Sequence, residues 1–198
     1  MFYRLGHALF SGYFKVLHRW QVIGKENIPQ DGAVLLVSNH ISNLDPPLVG
    51  CGADRPVHFM AKAELFKVPI FGRVIKDMNA FPVKRGVGDR NALRHVIQLL
   101  EDGNVVGIFP EGTRNKTGTD AMGEAHSGAA NFALKTGATV VPTAIVGTME
   151  AFKPIKLVFG EPVDLSEFAG VKVNRESIGQ VTERITAAVN QLIEAHKH

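Results

Sequence analysis

From Ala33 onward the chain alternates short continuous apolar runs with segments whose apolar residues recur at helical spacing. The runs at 33–38, 57–60, 80–83, 105–109, 140–146 and 156–159 predict strands, of which 105–109 is the clearest. Between them, 45–50 predicts a short helix opened by Pro46 and Pro47, and 70–75 a second helical stretch. Asp89 is placed to cap a helix with the stripe Leu93, Val96, Ile97 and Leu100, and Gly103 to close it. Small residues carry another helix over 127–135. A last one starts near Asn174 and aligns Ile178, Val181, Ile185, Val189 and Leu192. Strands alternating with helices predict an α/β fold, a single-domain sandwich whose central sheet, mostly parallel or mixed, is flanked by helices. No repeat, low-complexity tract or linker interrupts it, and 198 residues suit one domain.

The first 20 residues have a different pattern. Phe2, Leu5, Leu9, Tyr13, Val16 and Trp20 recur at helical spacing, and Phe10, Phe14 and Leu17 widen the apolar face. Arg4, His7 and Lys15 interrupt the run, so it falls short of the roughly 20 apolar residues that a bilayer span needs. A small-residue cleavage site, as in a signal peptide, is also lacking. The expectation is an amphipathic helix at 1–20 lying in a membrane interface, with a folded domain at 21–198. The alternative is a helix that packs on its own domain.

Composition adds three points. A hydrophobic share of 45% is that of a globular chain and excludes disorder. The formal charge is only +3, yet no acidic residue precedes Glu26 while Arg4, Lys15 and Arg19 do. That basic, aromatic start suits an anionic lipid surface, and no nucleic-acid motif accompanies it. The single cysteine, Cys51, rules out an internal disulfide and fits a reducing compartment; within Val49-Gly50-Cys51-Gly52 it reads as a small buried residue. Asn115-Lys116-Thr117 matches a glycosylation sequon but has no secretion signal to give it meaning.

Two segments carry candidate chemistry. Asn39-His40-Ile41-Ser42-Asn43-Leu44-Asp45 follows a buried strand and sets a carboxylate five positions after an imidazole. A tight turn there would fix the ring's tautomer and free its other nitrogen to take a proton. The spacing alone leaves a structural histidine, capping the loop, as open as a base. A metal site has no further His or Cys at ligand spacing, and Ser38 lacks the Gly-x-Ser-x-Gly setting of a hydrolase nucleophile. Phe109-Pro110-Glu111-Gly112-Thr113-Arg114 ends the clearest strand in a turn with free backbone donors. Gly112 permits close approach and Arg114 offers a planar fork for phosphate, although Glu-Gly-Thr-Arg is also an ordinary polar turn. Lys62 and the pair Lys84-Arg85 each lie just beyond a predicted strand and could converge on the same mouth of the sheet, or be solvated charges.

In order along the chain stand NHISNLD at 39–45, AFPVKRG at 80–86, FPEGTR at 109–114 and VVPTAI at 140–145. The set resembles the four sequence blocks of the 1-acylglycerol-3-phosphate acyltransferase family of glycerolipid acyltransferases, over residues 20–165. The resemblance implies an acyltransferase domain at 21–198, with His40 as catalytic base and Asp45 as its partner. It implies that Arg85 and the residues Glu111, Gly112, Thr113 and Arg114 hold the acceptor's glycerol phosphate, joined by Lys62 between the first two blocks. Pro142 matches the fourth block, associated with the acyl donor. Asn115 stands where the third block often continues with Ser, and the hydrophobic spans of many members are missing, which implies monotopic or peripheral attachment.

The expected reaction is transfer of a fatty acyl group from a thioester, acyl-CoA or acyl-carrier protein, to the free hydroxyl of lysophosphatidic acid. Phosphatidic acid for phospholipid biosynthesis would be the product. No cofactor or metal beyond the acyl donor is expected, nor any nucleic-acid partner; the place of work is the cytoplasmic face of a membrane. The alternatives are another acceptor, such as glycerol 3-phosphate, a different lysophospholipid or another lipid, and a non-catalytic lipid-binding module.

Overall fold

The computed structural model describes residues 2–84, 89–115, 119–147 and 152–197, with side chains from Gly6 onward. An opening helix α1 (Phe2–His18) leads into β1 (Gln21–Ile23) and β2 (Val34–Ser38). There follow α2 (Asp45–Gly52), β3 (Val57–Lys62), α3 (Phe71–Asp77), β4 (Ala80–Val83), α4 (Arg90–Glu101) and β5 (Val105–Ile108). The chain ends with α5 (Gly128–Thr136), β6 (Thr139–Gly147), β7 (Ile155–Phe159) and α6 (Arg175–His196). Short 3-10 turns span Lys25–Asn27, Ala63–Lys67 and Ser166–Phe168.

The strands form one sheet in the order β1-β7-β6-β2-β5-β3-β4. Every neighbouring pair runs parallel except β6 and β7, so the sheet is mixed. β2 lies in the middle, with Val34 opposite Val105 on one side and Thr139 on the other. Its run of apolar residues has no polar alternation because both faces are covered. Leu35 and Val37 point into a core closed by α4, α5 and α6; Val34 and Leu36 point into a second core closed by α1 and α2.

The helix stripes differ in detail from their sequence patterns. On α4 Leu93 is exposed and Leu99 is buried in its place. On α6 Val181, Ile185 and Val189 are buried as the periodicity predicts, and Ile193 rather than Leu192 completes the row. Both discrepancies are one helical step in phase, which a strip of adjacent apolar residues leaves free until the neighbour is present. Caps match better. The Asp89 side chain accepts from the amides of Asn91 and Ala92, and Asn174 forms a reciprocal capping box with Ser177. β1 was not predicted, since three residues with little burial leave no pattern.

α1 divides its apolar residues between two faces. Phe14 is fully buried in the second core and Phe10 packs against it, whereas Leu9 and Val16 stand in solvent. The helix is thus bound to the domain on one face and leaves an apolar face outside. Among the described residues no helix is long and apolar enough to cross a membrane.

Candidate active site

In an open parallel sheet, ligands bind beyond the carboxyl ends of the strands. Here β2 is followed at that edge by Asn39 and His40, β5 by the segment from Phe109 to Arg114, and β3 ends on Lys62.

His40 Nδ1 lies 2.8 Å from Asp45 Oδ2. The same oxygen accepts from the backbone amides of Ile41 and Ser42, each at 2.7 Å. An oxygen that already serves two amides is fixed as an acceptor, so Nδ1 donates and Nε2 is the ring's basic nitrogen. Asp45 is the first residue of α2, where amides without helical partners and the positive end of the helix favour a carboxylate. Pro46 and Pro47 fit that first turn because they have no amide to leave unpaired. Asp45 is fully buried, and its Oδ1 has no hydrogen-bond partner among the described residues. Such an orphan is costly in a folded chain and is tolerated where the carboxylate has another task.

The imidazole plane is set by aromatic stacking. Phe109 stacks on His40 with centroids 4.4 Å apart, and Phe59 stacks on Phe109 at 6.0 Å. Phe59 fits only because residue 107 is glycine, as a Cβ there would come within 2.1 Å of its ring.

The third block is tied to His40 through the backbone. Glu111 Oε1 accepts from the His40 amide at 2.8 Å, and the Asn115 amide donates to the His40 carbonyl at 2.7 Å. Glu111 Oε2 accepts from the Gly123 amide at 3.1 Å. The Glu111 carboxylate thus faces the backbone around His40. It is buried, must be paired, and is committed to two amides on different loops.

Gly112 turns the chain at φ 65°, a conformation natural to glycine, and Thr113 and Arg114 project from the turn into solvent. Lys62 is exposed on β3, opposite Val83 of β4. Arg85, two positions after Val83, lies outside the described residues. Pro142 is within β6, opposite Val37, and its carbonyl accepts from Gly160.

Three further residues belong to the site. Asn39 is fully buried, donates to the carbonyls of Asp120 and Ile145, and accepts from the Ile145 amide. It fastens the end of β2 to β6 just before His40. Asp120 in turn accepts from the Gly147 amide. The ring of His126 lies against Gly112, 3.2 Å from where a Cβ would stand, and its amide donates to Pro110. A polar residue ending an apolar strand was a visible sign for Asn39. Asp120 and His126 sit in an aperiodic stretch that gives no such sign.

Neither rival nucleophile is available. The Ser38 hydroxyl is buried and donates to the carbonyl of Asn39. Cys51 is buried, its thiol donates to the carbonyl of His7, and burial pushes that thiol above the ordinary cysteine range.

This site and fold are those of a known enzyme class, for the chain belongs to the acyltransferase family. The family model described as Acyltransferase matches residues 19–146, a stretch that contains every candidate site residue. The chain is 34% identical to the 1-acyl-sn-glycerol-3-phosphate acyltransferase of Bacillus subtilis, over 87% of either chain. It is 31% identical to the enzyme of the same name from Streptococcus pneumoniae, over 97% of this chain and 76% of that one. The crystal structure of the 1-acyl-sn-glycerophosphate acyltransferase of Thermotoga maritima superposes with a TM-score of 0.73 at 28% identity, covering 99% of this chain and 78% of that one.

Proposed function

We propose that the chain transfers a fatty acyl group from a thioester to the free hydroxyl of 1-acylglycerol 3-phosphate and so makes phosphatidic acid. One observation carries the reading: the 2.8 Å His40–Asp45 pair stands beside the Gly112–Arg114 turn and is joined to it through both backbone groups of His40. A base and an anion-friendly turn held together suit a hydroxyl carried on a phosphorylated molecule. The names of the relatives point to the same acceptor.

In this mechanism Nε2 of His40 removes the hydroxyl proton as the oxygen attacks the thioester carbonyl. Asp45 holds the ring in the right tautomer and stabilises the imidazolium without taking a proton itself. The tetrahedral oxyanion collapses, the carbon–sulfur bond breaks, and the departing thiolate receives the proton from His40. No acyl-enzyme is required, because the donor is already activated and the acceptor alcohol is the nucleophile. Arg114 and Thr113, with Lys62 and Arg85, hold the phosphate; Gly112 lets it approach the backbone. Glu111 acts through His40 as a positioning residue. The donor, acyl-CoA or acyl-carrier protein, is the only co-substrate, and the acceptor comes from the cytoplasmic face of a membrane.

The test is incubation of purified protein with lysophosphatidate and each donor in turn, reading phosphatidate and free thiol. Equal amounts of both are expected with at least one donor. No phosphatidate with either would refute the acceptor, and a panel of lysophospholipids and glycerol 3-phosphate would then name the alternative.

A further inference from the structure

We propose that the connection from β3 to β4 docks on an anionic lipid bilayer beside α1, so that the acceptor reaches the site from the lipid; the last clause rests on the acceptor reading above. The connection consists of the Ala63–Lys67 turn and α3, and between them it exposes Val68, Ile70 and Phe71 by 46%, 82% and 45%. Ile70 adopts φ 64° and ψ −57° at the centre of a tight turn closed by the Phe71 amide on the Pro69 carbonyl, a positive-φ outlier for a β-branched residue. Strain of this kind persists where function requires it, and here it holds an apolar side chain out in water.

Phe152 repeats the combination, with φ 66° and 71% exposure. Its amide donates to the carbonyl of Leu17, which places it beside the end of α1. Gly6 of α1 packs against Met78 at the end of α3, a Cβ there lying 3.4 Å from the Met78 sulfur. Tyr13, about 20° around the helix from Gly6, leads on to Leu9 and Val16, exposed by 66% and 72%. Exposed apolar groups thus stand on α1 and on the two segments that touch it, the β3–β4 connection and the turn at Phe152, the kind of surface that marks an interaction.

Charge selects the occupant. The connection carries Lys67, Arg73 and Lys76 against Glu64 and Asp77, and the first 20 residues carry cations and no acid. Two copies meeting through this face would set like charges together, whereas an anionic bilayer accepts both the cations and the apolar groups. The connection also starts directly after Lys62, at the edge of the sheet that carries His40. Docking there would bring the site to the lipid.

Ile70→Gly separates function from packing, because it relieves the positive-φ strain while removing the apolar group. Partition is measured by sedimentation with vesicles of phosphatidylcholine and phosphatidylglycerol, two to one, without acyl donor. It therefore reports docking whether or not lysophosphatidate proves to be the acceptor. The expected result is a higher melting temperature with vesicle partition about tenfold lower. A Trp20→Phe, Ile70→Trp variant, in which residue 70 carries the only indole, should shift its emission to the blue on these vesicles. Wild-type partition by the glycine variant, an unmoved indole spectrum, or a dimer of the wild type that the glycine variant breaks would overturn the proposal.

Discussion

At the scale of single residues, the proposed reaction divides the site into groups that move a proton, groups that hold the base still and groups that face outward. His40→Ala removes the proposed proton acceptor and should lower kcat by about 10²–10⁴-fold while the chain still folds, at a lower melting temperature because a buried, paired ring is lost. Asp45→Asn keeps the shape, but an amide cannot serve both the Ile41 and Ser42 amides and an Nδ1 donor at the same oxygen without loss. Its kcat should fall by a similar factor in steady-state assays. Glu111 and Arg114 sit in one turn but should respond differently. Glu111→Gln turns an NH₂ towards one of the two amides it now accepts from and disturbs the base, so kcat falls with KM nearly constant. Arg114→Ala leaves the base in place and should raise KM for the acceptor, with kcat the lesser change. A fall in kcat for both variants with KM untouched would contradict that division. His40, Asp45 and the third block were legible from residue type and order. The inward turn of Glu111 was not, because which way a carboxylate faces depends on the amides that other loops bring to it.

At the scale of elements, β5 shows how a strand controls a side chain it does not carry. Gly107 admits Phe59, Phe59 supports Phe109, and Phe109 lies under the imidazole. Gly107→Ala should destabilise the fold by about 1–3 kcal/mol through overpacking. It should also lower kcat more than KM, since the displaced aromatic stack moves His40; melting and kinetics on one preparation test both. Helix α4 offers a pH dependence. Backbone amides of Lys84 and Ala92 donate to Asp89 and hold its carboxyl below the ordinary range. A folded pKa below the unfolded one adds stability at pH above about 3.9 that is lost as pH falls through the folded value. Asp89→Asn should therefore melt below wild type at neutral pH, with the gap closing in acid. Most strands and helices were legible because apolar runs and caps are local signals. The phase of a helix stripe and the three-residue β1 were not, being set by neighbours distant in sequence.

For the whole molecule, the sequence pattern gave an α/β sandwich but not the strand order, which decides what meets at the carboxyl edge. β2 and β5 are about 70 residues apart in the chain and become neighbours through crossovers, a long-range pairing that no window of sequence contains. That pairing brings His40 to Phe109 and Glu111. The apolar width of the first helix was plain in the sequence, but not its division, with Phe10 and Phe14 used inside the domain and Leu9 and Val16 left outside it.

Both polar groups of the His40 backbone are held by residues of the third block, the amide by Glu111 and the carbonyl by the Asn115 amide. In the proposed reaction, proton abstraction and anion recognition would therefore share one rigid frame. Within the third block, redesign for a new headgroup has room in the solvent-facing crest at 112–114, whereas changes at 111 or 115 would disturb the base and slow the chemistry.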